Sequence, residues 1–473
     1  MDRIVSRFFQ GKDPAWTMFH IKSLLRHYDK FWTNPYAATF TWLGLMFSII
    51  CHTALFCMRA DEELPGNLGE PVQIFDAYRA LVAQCLALDD YTKPGKYKIE
   101  TLILYFNIEY RRVNDAVLGT SVLLSAIVRV AMHMGLHRDP RHYPNMSPFE
   151  GEMRRRIWNI LVGFDVLASF QFGLSSSIHP SLHDTNPPRN LLDDDFDEDT
   201  AELPPSRPEE TERTMVLYSM VRGRLLSVFG DIVAAISSRT PKTYGDIMRL
   251  DKTLQETYGN IPPAFRYKSF DQALVDPVDL IMQRYWLELL YQKSRMVLHR
   301  KYIGIARTVP RCLYSRLACL DAATKTLRHQ YDIHCEIQPG GRLSKERWFL
   351  TSTSTHDFLL ADMILCLELS CLFAQENSPA MSDMALRAFG EGKVTTEAVI
   401  PKDKLFEILR ISKSIWQTQR RQSSEANRAF KFLTKMLFLS TAESHASSPD
   451  TAGSLLEGLD PNYNVPFLFE SGK

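Results

Sequence analysis

The 473 residues carry no excess of either charge, since Lys plus Arg is 55 and Asp plus Glu is 55. A dedicated nucleic-acid surface is therefore not expected, because neutralising phosphates takes a concentrated positive face. Cysteine is sparse and unpaired in sequence. None of the eight stands in a C-x2-C pair, which excludes the standard zinc and redox spacings. Most lie in apolar, helical-looking stretches, where Cys behaves as a small hydrophobe and a reducing compartment suits it. Residues 1–10 hold three charges and lack the apolar core of a signal peptide. Glycine (22) and proline (25) follow no period, so collagen-like and low-complexity classes drop out. No P-loop or dinucleotide fingerprint occurs, and Gly173-Leu174-Ser175-Ser176-Ser177 lacks the second Gly of a nucleophile elbow.

Helical periodicity dominates what is present. Helices are expected at 17–30, 38–58, 71–88, 98–110, 115–134 and 148–170. The second half adds 212–237, 244–258, 277–303, 311–335, 346–375, 379–389, 402–420 and 424–442. The fold class is all-α, a large irregular multi-helix bundle or array with no repeat period. Residues 173–210 form a loop-rich acidic segment punctuated by Pro180, Pro187, Pro188, Pro204, Pro205 and Pro208. One domain over 1–445 is expected, with possible halves 1–172 and 211–445 joined by that segment, and a flexible tail at 446–473. From Ala37 to Met58 there is no Asp, Glu, Lys or Arg, enough length to span a bilayer. Thr39, Thr41, Ser48, His52 and Thr53 dilute it, so it reads as a buried core helix; a single-span anchor is the alternative.

The specific block is Ala131-Met132-His133-Met134-Gly135-Leu136-His137-Arg138-Asp139-Pro140, then Glu152-Met153-Arg154-Arg155-Arg156-Ile157-Trp158, Asp165, and Pro188-Arg189-Asn190-Leu191-Leu192-Asp193. It resembles the regulatory domain, the middle homology region, of fungal binuclear-zinc-cluster transcription factors. Phe31-Trp32, Trp42 to Phe47 and Tyr285 to Arg300 extend the resemblance over about 15–445. Two elements depart from the family pattern: Asn159 stands where a second Trp follows Trp158, and Gly173-Leu174-Ser175 replaces Gly-Arg-Pro. The family's six-cysteine zinc module, which opens C-x2-C-x6-C, has no counterpart in these residues, so direct DNA binding is not expected.

On the helix after Pro148, Arg154, Trp158, Leu161 and Asp165 share a face. Trp158 is expected to staple helices together, with Arg154 and Asp165 pairing along its edge. Arg154-Arg155-Arg156 fans over too wide an arc to clamp one phosphate, since each helical step turns ~100°; intramolecular pairing, including with the acidic loop, is expected. His133, His137 and His142 lack metal spacing, because Gly135 ends the helix between the first two. Asp193 to Asp199 holds six acids, with a D-D-x-x-D pattern that can hold magnesium on a helix; between proline pairs it reads as a solvated loop. Neither metal nor cofactor is expected.

If a pocket opens between the N-terminal helices and the arginine-rich helix, Trp32, Trp42, Phe47, Trp158 and Asp165 are its candidate lining. Two functions stand open. The resemblance implies a transcription regulator, nuclear or cytoplasmic, that responds to a small molecule or to a partner such as a zinc-cluster transcription factor and serves a metabolic gene cluster. The alternative is a repurposed pocket that works as a cofactor-independent cyclase or pericyclase, with His133, His137, Arg154 and Asp165 as donors or acids.

Overall fold

Thr39 and Asp61 bracket the most apolar stretch of the chain. The Thr39 hydroxyl accepts the Trp42 N–H, capping a helix over Phe40–Ala60 that Asp61 closes in the left-handed conformation (φ 58°). The computed structural model describes residues 1–376 and 400–443, apart from 12, 67, 113, 114, 116, 241, 348–351 and 422. Among the described residues there are fifteen α-helices and no strand, the all-α class that the periodicity predicts. The first seven are α1 (Asp2–Gln10), α2 (Ile21–Thr33), α3 (Phe40–Ala60), α4 (Pro71–Leu88), α5 (Lys98–Arg112), α6 (Leu118–His133) and α7 (Pro148–Gln171). Then come α8 (Met215–Ile236), α9 (Tyr244–Gly259), α10 (Val278–His299) and α11 (Tyr302–Ile305). The last are α12 (Leu313–Glu336), α13 (Ser352–Glu376), α14 (Lys402–Gln419) and α15 (Ser424–Glu443). The helix expected at 379–389 and the tail at 446–473 lie outside the described residues.

Contacts group the described residues into two units. The first comprises Met1–Gly230, Gly259–Arg284 and 342–347; the second comprises Asp231–Tyr258, Tyr285–Gly341, 352–376 and 400–443. At the centre of the first, α3 lies against α1, α4 and α5, and Leu45, Ile49, Cys51, Ala54 and Phe56 are fully buried. It is the one described helix long and apolar enough to cross a membrane, and most of it is buried within the protein. Its diluting polar groups are used internally: Thr53 donates to the carbonyls of Ile49 and Ile4, and His52 reaches the Leu104 carbonyl. Burial drives the His52 imidazole down to about 3, so the ring stays neutral.

The periodicity reading missed α1, which presents Ile4, Val5 and Phe8 to the interior. It also started α2 too early. Asp13 caps a 3-10 turn at Pro14–Met18, and His20 then serves as N-cap for α2, its Nδ1 accepting the Ser23 N–H. In the second unit α12, α13, α14 and α15 pack together. There Trp416 and Ser412 both donate to buried Asp362, and Glu368 receives Arg307 and Arg316. The helix expected at 277–303 ends at His299 instead.

Candidate functional site

Gly135 fixes the end of α6. Its φ of 79° is a left-handed conformation, and the N–H groups of Leu136 and Gly135 return to the carbonyls of Ala131 and Met132, a Schellman closure. A Cβ here would lie 2.6 Å from the Tyr143 hydroxyl. Gly135→Ala is therefore expected to cost about 1–2 kcal/mol from backbone strain and the clash, read as a lowered urea midpoint. Just beyond, Asp139 is fully buried. Its carboxylate receives both Arg155 nitrogens, at 2.9 and 3.1 Å, and the N–H groups of Arg141 and Asn186. Burial pushes this carboxyl up, but Arg155 and the two amides outweigh it and hold it at about 2.

The rest of the signature block does similar work on the segment 173–210, which folds as part of the first unit. Glu152 accepts the Arg189 N–H and Arg156 Nε. Arg156, its side chain 1% exposed, also donates to Asp193 (2.9 Å) and the Leu191 carbonyl and lies over the Phe196 ring. Asn190 binds the carbonyls of Arg207 and Glu212 and takes the Thr214 hydroxyl. The acidic run is a loop with Asp194, Glu198 and Asp199 exposed, and four of its acids are paired. Asp193 meets Arg156, Asp194 meets Lys22, Asp195 takes Arg207, and Glu198 takes Ser23 and Arg26. Cations of α2 and α7 thus hold Asp193, Asp194 and Glu198, and Arg207 holds Asp195. Among the described residues no three His, Cys, Asp or Glu side chains converge on a common metal position.

Arg154 and Asp165 do not pair. Eleven residues of α-helix separate them by about 16 Å of rise, and each serves its own end. Arg154 binds Glu150 and the Met134 carbonyl. Asp165 accepts the Ser176 hydroxyl and the N–H groups of Ser177 and Ile178, fastening the chain after α7. Trp158 is buried between the rings of His137 and His183. Asn159 donates to Ser219, and a Cβ on Gly223 would meet it at 2.7 Å. The smaller residue in place of a second Trp thus admits α8 at close range.

A cavity of about 490 Å³ opens between the start of α2, the turn 95–97, the first turn of α5, the end of α6 and the first half of α7. That volume is in the range of small-molecule sites. Met18, Leu24, Leu136, Phe149, Met153 and Ile157 give it apolar walls, while His20, Lys96, Glu100, Arg154 and Glu198 bring polar groups to them. Tyr97 in its wall has φ 61°, a conformation that costs a residue with a Cβ about 1–2 kcal/mol. Its ring packs on Trp42 and His27.

Of the residues put forward from the sequence, only Arg154 lines this cavity. Trp42 is buried behind Tyr97, Trp32 is 53% exposed, and Phe47 packs edge-on against Tyr78. His133 is exposed and His137 half-buried. Sequence reasoning missed His20, Tyr97, Glu100 and Phe149. It also missed a Ser-His-Asp constellation in the second unit, where His299 bridges Ser315 (3.0 Å) and Asp251 (3.2 Å). All three side chains are buried, and Tyr314 and Tyr244 take their remaining positions, so this is a structural knot.

Helices without strands among the described residues, a cavity sized for a small molecule and a signature block spent on folding define a large all-α domain. The chain belongs to the fungal specific transcription factor domain family, whose profile matches residues 5–260. It is 41% identical over 380 residues to the Zn(2)-C6 fungal-type transcription factor pigI of Monascus ruber, covering 80% of this chain and 46% of that protein. It is 36% identical to the Zn(2)-C6 fungal-type transcription factor mpsB of Macrophomina phaseolina, covering 97% and 60%. It is 34% identical to the equisetin cluster transcription factor eqxF of Fusarium heterosporum, covering 98% and 64%. The chain thus spans roughly half to two thirds of the length of these relatives. No solved structure matches it.

Proposed function

We propose that these residues form the regulatory part of a nuclear transcription regulator of a secondary-metabolite gene cluster, switched by a small molecule in the cavity between α2 and α7. The observation that carries the reading is that cavity: it is walled by the segments around the family signature and roofed by Phe149, Met153 and Glu198. The relatives' printed names supply the cluster and the transcriptional role. DNA reading is assigned outside the 473 residues, to further sequence or to a partner factor, since no C-x2-C-x6-C run occurs within them. The cyclase alternative loses support from the placement of its groups, because His133, His137 and Asp165 do not line the cavity. Deleting the coding sequence is expected to silence a contiguous set of biosynthetic genes in a genome-wide transcript comparison. An unchanged transcript profile would refute the proposal.

A further inference from the structure

The geometry points to an amphipathic amine as the occupant of this cavity: an apolar body carrying a protonated nitrogen that docks on the Glu100 carboxylate. This inference rests on reading the cavity as a ligand site and names the chemistry of what enters it.

Among the described residues, the polar groups around the cavity are already engaged, with one exception. His20 uses both ring nitrogens, Nδ1 on the Ser23 N–H and Nε2 on the Phe196 carbonyl. Lys96 donates to His27 at 2.7 Å and lies 3.9 Å from Glu198. Glu198 holds Ser23 and Arg26. Arg154 is spent on Glu150 and the Met134 carbonyl. Among the described residues Glu100 has no side-chain partner: its carboxyl bonds its own backbone N–H, and Lys96 acts on it from a distance.

Glu100 is half-buried in the cavity wall, and withdrawing a carboxylate from water without a counter-charge is costly; this desolvation lifts it to about 7. An ammonium entering the cavity would supply the missing charge as a charge-assisted hydrogen bond. An anion would instead meet three carboxylates, Glu100, Glu150 and Glu198, against two cations that are already paired. The apolar body would lie along Leu24, Phe149, Met153 and Ile157.

Isothermal titration calorimetry on the whole chain with 4-phenylbutylamine, 4-phenylbutan-1-ol and 4-phenylbutyrate tests this, since the three share one apolar body. The amine is expected to bind at least about tenfold tighter than the alcohol, and the carboxylate most weakly, as one desolvated ion pair allows. Glu100→Gln should erase the preference. In the wild-type protein, amine affinity should rise from about pH 6 to about pH 8 as Glu100 loses its proton, while alcohol affinity stays flat. If all three bind alike, or the preference survives Glu100→Gln, the amine assignment falls; loss of that binding in Met153→Trp would then leave the cavity as the site. If none binds at millimolar concentration, both the assignment and the ligand reading fall.

Discussion

Replacing Arg156 by alanine is expected to destabilise the first unit by about 3–5 kcal/mol, the cost of breaking a buried ion pair from one side. Arg156 is the hub on which the segment 191–196 is seated, through Asp193, the Leu191 carbonyl and the Phe196 ring. Its other partner, Glu152, is fully buried. Burial already raises the Glu152 carboxyl above its ordinary value, and Arg156 is the largest opposing influence. Without Arg156 the carboxyl would keep the Arg189 N–H and take up a proton. Urea unfolding should therefore show a lowered midpoint, and limited proteolysis should cut near residues 191–200 in the variant before the wild type. Arg154→Ala is the contrast. Its pair with Glu150 is an i, i+4 contact with Glu150 54% exposed, and such a pair is worth under about 1 kcal/mol. Equal losses from the two substitutions would contradict the assignment of Arg156 as the hub.

Asp139→Ala is expected to cost about 3 kcal/mol at neutral pH, because it strands the Arg155 guanidinium and the N–H groups of Arg141 and Asn186 at once. The pH dependence follows from the sign of the shift. Asp139 sits at about 2 in the folded protein, below its ordinary 3.8, so its stabilising contribution is complete above about pH 4 and fades as pH falls through 2. At about 1.4 kcal/mol per unit that contribution is on the order of 2 kcal/mol at most, and solvent at the rim screens part of it. The gap between wild type and variant should therefore narrow in acid. A gap that stays constant from pH 7 to about pH 2.5 would show that Asp139 does not act through its charge.

The two residues also show what sequence could and could not give. Helix placement was readable because burial imposes period: α3, α7, α8 and α12 follow their apolar faces, and Gly135 ends α6 where a left-handed residue is needed. Intramolecular pairing of the arginine run was readable from the arc that consecutive helical residues sweep, and Arg156 is the one of the three that meets the acidic loop. Which arginine takes which acid was not readable, because Asp139 and Asp193 come to α7 from two different segments, while Glu152 lies on α7 itself one turn before Arg156. The cavity was the least readable part. Bulky aromatics attract attention in a sequence, yet Trp42 and Trp158 are consumed by packing, and the space is left beside Leu24, Met153 and Glu100. One signal for it existed: Glu100 is an acid within the apolar run Ile99 to Leu104, on a helix whose next residues are buried.

The most direct test of the account fills the cavity and reads transcription. Met153 lines the cavity and is half-buried, so Met153→Trp occupies the space while leaving Asp139, Glu152 and Arg156 in place. Transcripts of the controlled gene set are compared between hosts carrying the wild-type allele and Met153→Trp, at equal protein abundance. The account predicts that the filled variant loses its control of those genes and the wild type keeps it. Identical transcript levels from the two alleles would contradict it.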